Sequence, residues 1–204
     1  TLGGAVANDV HGKNHHVAGS FGNHIRRLVV VRSSGEILEC TPQQNSELYQ
    51  ATIGGLGLTG LITEVEIQLQ KINNPLMWCE NHAFANLEEY WQLNDEMQSI
   101  WPCSASWVDC LAKKDTMGRG VMFLGRHASS NNMPFASTSR QLNVPIEPPI
   151  SLINKASLLA FNELYYFKNK KNKSFLSNYQ PFFYPLDGIL NWNRIYGKKG
   201  FYQY

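Results

Sequence analysis

The 204-residue chain lacks any apolar run long enough to cross a bilayer as a helix, for which about 18 consecutive apolar residues are needed. No signal peptide is visible. Charge of one sign is also missing. Eighteen Lys and Arg against sixteen Asp and Glu leave a formal charge of +2, so composition makes no electrostatic case for nucleic acid. Cysteine is scarce. Cys40, Cys79, Cys103 and Cys110 include no C-x-x-C pair, and a chain of this size does not need disulfide staples. The expectation is four reduced, buried thiols. No internal repeat is seen. With 43% hydrophobic and 17% charged residues the chain is globular rather than disordered, and long enough for a substantial core.

Punctuation and period divide the rest. Residues 25–41 read as two strands around Ser33-Ser34-Gly35, a hairpin signal. Residues 45–52 read as a short helix capped by Asn45 or Ser46. Residues 63–70 alternate Thr63, Val65, Ile67 and Leu69 against Glu64, Glu66, Gln68 and Gln70, the period of a half-buried strand. Asn73–Pro75 marks a boundary between units 1–73 and 74–204. Beyond it, 86–98 reads as an amphipathic helix, 104–111 and 118–128 as strands, and 151–167 as a helix. Residues 129–150, with four prolines, read as a long loop of the lid type. "KNKKNK" (168–173) reads as a solvated turn or, alternatively, a patch facing an anionic surface. The last residues, "GFYQY", have the texture of a strand. A chain starting without Met and stopping there is expected to be a piece of a longer protein.

Four segments carry chemistry. Gly55, Gly57 and Gly60 satisfy G-x-G-x-x-G, and Glu80 follows at the spacing of a ribose-binding acid. A dinucleotide fingerprint, however, follows a strand and opens a helix; here a helix precedes and a strand follows, so a glycine-rich close-approach turn is expected. In "TLGGAVANDVHGKNHH", Gly3 and Gly4 permit close approach or positive φ, and the small residues after them leave room for a flat ligand. Four of the six histidines, His11, His15, His16 and His24, crowd into residues 11–24. His11 and His15 would be i, i+4 metal ligands on a helix, but Gly12 and Asn14 oppose one and no second ligand cluster exists, so no metal is expected. His82 and His127 stand alone and read as surface or satisfied core. His11 and Lys13 pair a titratable group with a fixed charge, suited to an oxygen-rich or anionic ligand. Residues 181–204 mix eight aromatics with Asp187, Asn193, Arg194 and Gln203. They read as an aromatic core or as a sugar-binding wall.

Taken in order, "TLGGAVANDVHGKNHHVAGSFGNH", "GEILECTP" and "ELYQATIGGLGLTGLI" resemble the vanillyl-alcohol-oxidase (PCMH) type of FAD-dependent oxidases. Within that superfamily they resemble the sugar oxidases acting on a polyprenylphosphoryl ribose. "SASWVDCL", "MGRGVMFLGR" and "FFYPLDGILNWNRIYGKKGFYQY" continue the likeness, which is poorest at 129–160. The resemblance implies an α+β chain: the second lobe of a PCMH-type FAD-binding domain (1–73), then an incomplete substrate domain with an antiparallel sheet and flanking helices (74–204).

It further implies that Thr1, Leu2, Gly3, Gly4, Asn8, Asp9, Val10, His11, Gly12, Gly57 and Ile62 line noncovalently bound FAD. His11 and Lys13 would carry the chemistry, and Lys13, Trp107, Phe183 and Gln203 would line the substrate. The chemistry implied is oxidation of a sugar hydroxyl to a ketone, the first half of an epimerisation for cell-wall arabinan precursors, completed by a short-chain reductase partner. A prenyl substrate implies peripheral membrane contact and a bacterial cytoplasmic or periplasmic setting. Two positions depart from the family: Phe183 replaces a pocket tyrosine, and Tyr184 stands where a histidine is common. The family's pyrophosphate loop would precede Thr1, and its active-site cysteine, lysine and tyrosine would follow Tyr204. The chain alone is therefore expected to hold FAD weakly or not at all, and not to turn over. A soluble sugar or alditol as substrate, and a catalytically silent interaction domain, are the alternatives.

Overall fold

The structure, a computed structural model, describes residues 1–129, 141–148, 151 and 153–199. Within it the chain divides into two compact units, Thr1–Lys71 and Ile72–Tyr204.

In the first unit, β1 (Ile25–Val31) is the middle strand of three, antiparallel to β2 (Ile37–Cys40) and β3 (Leu61–Ile67). The hairpin turn closes through Arg32 N–H donating to the Glu36 carbonyl at 2.9 Å, with Gly35 at φ +85°. Period alone misplaces β3. It starts at Leu61 and ends at Ile67, and Leu69, expected inside, is 79% exposed. Alternation persists beyond Ile67, but no ladder partner does. Helix α3 (Ser46–Thr52) has Asn45 at its N-cap, yet that side chain makes no capping bond and donates instead to the Glu39 carbonyl at 2.8 Å. Val6, Ile25, Leu28, Val30, Cys40 and Tyr49 form the core. The buried Tyr49 hydroxyl stays satisfied by donating to the Ile25 carbonyl at 2.8 Å.

α1 (Leu2–Ala7) and the one-turn α2 (His15–Ala18) precede this sheet. Gly3 and Gly4, read as permitting close approach or positive φ, lie inside α1 without positive φ. Thr1 caps it, its Oγ1 accepting from Gly4 N–H at 3.1 Å, so the helix starts in spite of its glycines.

The second unit holds a fully antiparallel sheet in the order β5-β6-β4-β8, formed by β4 (Leu76–Phe84), β5 (Cys103–Val108), β6 (Gly120–His127) and β8 (Lys173–Asn178). Neither β4 nor β8 is evident from period. β4 is an inner strand whose residues, four apolar then three polar then two apolar, do not alternate. β8 takes Lys173 out of the expected solvated turn and pairs it with Asn81. On one face α4 (Leu87–Met97) packs its Tyr90, Leu93 and Met97 on Phe84, Trp101, Met122 and Leu124. Asn86 caps α4 by accepting from Glu89 N–H at 2.9 Å, and Glu89 reaches back to Ala85 N–H at 2.7 Å.

The opposite face carries Met77, Cys79 and Cys103 under Phe182 of α6 (Tyr179–Phe183). The contact requires Gly125, where an added Cβ would sit 2.5 Å from the Phe182 ring. α5 (Lys155–Asn169) begins four residues later than expected because Asn154 and Ser157 form a reciprocal capping box. Cys110 is exposed, against the expectation of four buried thiols; the other three are buried. Much of the expected 129–150 loop lies outside the described residues, as do Gln203 and the terminal "GFYQY". Within the remainder, Leu142–Asn143 form a strand, β7, parallel to β9 (Ile189–Leu190).

Candidate functional site

In the first unit the sequence-expected cofactor residues converge on one wall. Residues 8–12 leave α1 through a sharp turn with Asp9 at φ +42°. The Asp9 carboxylate points inward and accepts from Gly22 N–H at 2.7 Å, while Phe21 N–H donates to the Val10 carbonyl at 2.7 Å. This side chain braces the loop through that bond. Asn8 is likewise engaged, donating to the Gly4 carbonyl at 2.9 Å. The glycine-rich turn is laced to α1 by Gly54 N–H to the Val6 carbonyl at 3.0 Å and Leu56 N–H to the Ala7 carbonyl at 2.8 Å. As expected, it follows a helix and precedes a strand. Gly57 has φ +76°, and a Cβ placed there meets nothing within 4 Å, so this edge of the wall is open. Gly3 lies against Ile62 of β3, 3.8 Å from an added Cβ.

The wall exposes apolar side chains: Leu2 is 48%, Val10 42% and Leu56 68% exposed. His11 is exposed and its backbone bridges Ser20; Lys13 and Gly12 continue the same loop, with Lys13 half-buried. His15 packs edge-on against His11 with centroids 5.0 Å apart, and His16 packs against His15 at 5.7 Å. Nδ1 of His15 lies 3.3 Å from the Gly12 carbonyl, a contact it makes as donor. The three histidine rings thus meet edge to face beside the loop. Among the described residues no group of three His, Cys, Asp or Glu side chains is placed to hold a metal. His82 and His127 have ordinary partners, Glu80 at 3.1 Å and the Asn74 carbonyl at 2.9 Å.

In the second unit Trp107 and Phe183 fall on the same side of the sheet. Cys103, Ala105 and Trp107 share a face by register with Phe123 and Asn81. The Trp107 ring meets Tyr165 of α5 at 4.8 Å, and Tyr165 stacks on Phe161 at 5.5 Å. Phe183 is half-buried, 5.1 Å from Phe182 and 6.3 Å from His127. Next to it Tyr184 turns outward into a cleft of about 520 Å³ that also takes in Gln141, Gln180 and Asp187. Gln203 lies outside the described residues.

Sequence reading passed over the most buried ionic group of this unit. Asp109, 2% exposed, immediately follows β5. It accepts from Arg119 Nε and Nη2 at 3.1 and 3.0 Å, Asn162 Nδ2 at 2.6 Å and Leu111 N–H at 3.0 Å. Burial pushes its carboxyl up, but the Leu111 and Asn162 bonds and the Arg119 guanidinium outweigh this and hold it below the ordinary carboxylate value. Arg119 also pairs with Glu163 and lies 4.9 Å over the Tyr166 ring. The available signal was one Asp just after a strand with an Arg ten residues on, just before the next.

No family model matches the chain. Among individual proteins, a decaprenylphosphoryl-β-D-ribose oxidase from Mycolicibacterium smegmatis is 33% identical over all of this chain and 46% of its own length. An uncharacterised Streptomyces coelicolor protein is 30% identical over 75% of the chain and 43% of its own length. Cytokinin dehydrogenase 1 from Arabidopsis thaliana is 30% identical over 44% of the chain and 16% of its own length. The chain thus spans less than half the length of these relatives. An oxidase matched along the whole chain and cytokinin dehydrogenases along part of it bear out the resemblance that the motifs indicated, to the FAD-dependent oxidoreductases of the vanillyl-alcohol-oxidase type.

Proposed function

We propose that the protein carrying this chain oxidises a sugar secondary hydroxyl to a ketone, with FAD held against the wall of the first unit. The 2-hydroxyl of a polyprenylphosphoryl ribose is the substrate we favour, as the first half of an epimerisation for cell-wall arabinan precursors. One observation supports the reading: α1, the 8–12 loop, the Gly57 turn and Ile62, all expected at a flavin, build one surface with an open backbone edge and exposed apolar side chains. Such a surface suits a flat ring system. Thr1–Gly4, Asn8–Gly12, Gly57 and Ile62 would hold FAD without a covalent bond. FAD, when bound, supplies the acceptor for the hydride of the carbinol carbon.

This chain's residues orient and polarise. Exposed His11 hydrogen-bonds the reacting hydroxyl and assists loss of its proton, and Lys13 holds a substrate phosphate or oxygen. Trp107 and Phe183 of the second unit supply apolar wall. The reading includes 1–73 as FAD-binding and 74–204 as substrate-binding, a short-chain reductase that takes the ketone, and a bacterial setting at or near a membrane. No described helix is long and apolar enough to cross one.

The test is the full-length protein reconstituted with FAD and mixed with polyprenylphosphoryl ribose. Bleaching of the flavin spectrum is expected. His11→Ala should slow it about 100-fold, and Lys13→Ala should raise KM about tenfold. A full-length protein that takes up no flavin would support the silent interaction domain instead. Phe183, lacking a hydroxyl, favours a second reading with a soluble sugar or alditol; bleaching by free sugars alone would establish it.

A further inference from the structure

We propose that the buried Asp109 cluster is a positioning device for the substrate wall. Asp109, Arg119 and Asn162 fix α5 against the β5–β6 hairpin and so hold Tyr165 against Trp107. This inference rests on the reading above, in which Trp107 contacts substrate.

The geometry carries it. Trp107 of β5 lies two residues before Asp109, and Tyr165 three residues after Asn162 on α5. The Asp109–Asn162 bond of 2.6 Å and the 4.8 Å ring contact therefore join the same two elements about one strand pleat and one helical turn apart. Arg119, the residue before β6, reaches both sides of the junction. It donates to Asp109 from Nε and Nη2, and from Nη2 again to Glu163, with Tyr166 under its guanidinium. Asp109 N–H donates to the Arg119 carbonyl at 2.8 Å and closes the hairpin beneath.

Most of α5's apolar residues face outward, with Leu159, Phe161, Leu164 and Phe167 all about half exposed or more. A helix that buries so little apolar area depends on a polar tie for its placement. Removal of the tie leaves both elements intact and frees the Trp107–Tyr165 contact.

The experiment uses the full-length, FAD-loaded protein and polyprenylphosphoryl ribose, with Asn162→Ala, Trp107→Ala and their combination. Asn162 is half-buried on the helix, so its truncation avoids the folding loss that Asp109→Asn at the centre of the cluster invites. Asn162→Ala is expected to raise KM roughly three- to tenfold with kcat within about twofold, and to add nothing in the Trp107→Ala background. Without substrate, the emission of Trp107, taken as the difference between the parent and Trp107→Phe, shifts to the red in Asn162→Ala. An unchanged KM and emission in Asn162→Ala, or an equal KM rise in both backgrounds, overturns the inference while the substrate reading stands. An unchanged KM in Trp107→Ala overturns the reading and the inference together.

Discussion

Asp9 shows how far residue type alone leads. It lies in the stretch expected at a cofactor, yet its carboxylate accepts from Gly22 N–H inside the protein. Asp9→Ala should cost about 1–3 kcal/mol by stranding that donor. Asp9→Asn, which keeps an acceptor and tolerates positive φ, should cost much less. Amide exchange at Gly22 is the measurement, faster in the alanine variant and near the parent in the asparagine one. The glycines separate in the same way. At Gly60, φ is +148° and an added Cβ lies 2.5 Å from the Val31 carbonyl, so Gly60→Ala should displace β3 from β1. At Gly57 the space is open, and Gly57→Ala should carry only the left-handed backbone cost of about 1–2 kcal/mol. Thermal unfolding of the two variants ranks them; equal losses would contradict the assignment of Gly57 to an open edge.

At the scale of elements, what was legible followed hydrogen-bonding chemistry. The hairpin at Ser33–Gly35 and the helix after Asn86 were both readable, since turn and cap residues declare themselves locally. The strands β4 and β8 were not, because their identity comes from pairing across the sheet. The start of α5 was misjudged by four residues, with Asn154 and Ser157 as the real signal. Asn154→Ala should destabilise the second unit by about 1 kcal/mol. All five tryptophans lie beyond residue 71, so their emission follows that unit alone during urea unfolding. An unmoved midpoint would remove the capping box from the account.

For each unit as a whole, acid is the informative stress. Asp109 is held below its ordinary value, and so is Glu80, where burial is outweighed by His82 and Ser174. A carboxyl depressed in the folded state contributes stability that is complete above its unfolded pKa of about 4 and is lost as pH falls through the lower folded value. The second unit should therefore hold its tryptophan emission down to about pH 4 and lose it below. Asp109→Asn should flatten that dependence, since it removes the titrating group. In the first unit, burial raises the Cys40 thiol, which therefore stays protonated and unreactive near neutrality.

The sequence by itself determined the resemblance to a flavin-oxidase superfamily and the α+β character, because motifs, caps and turn glycines act over a few positions. It also put Trp107 and Phe183 on one list without showing what they touch. Only the tertiary structure decided that Gly3 and Gly4 are helical, that Asp9 faces inward, that His15 meets His11 edge to face, and that Asp109 ties α5 to the sheet. These depend on partners from 3 to more than 50 residues away, and the longer-range pairings are set by packing and by the need to satisfy buried polar groups, which no local pattern records.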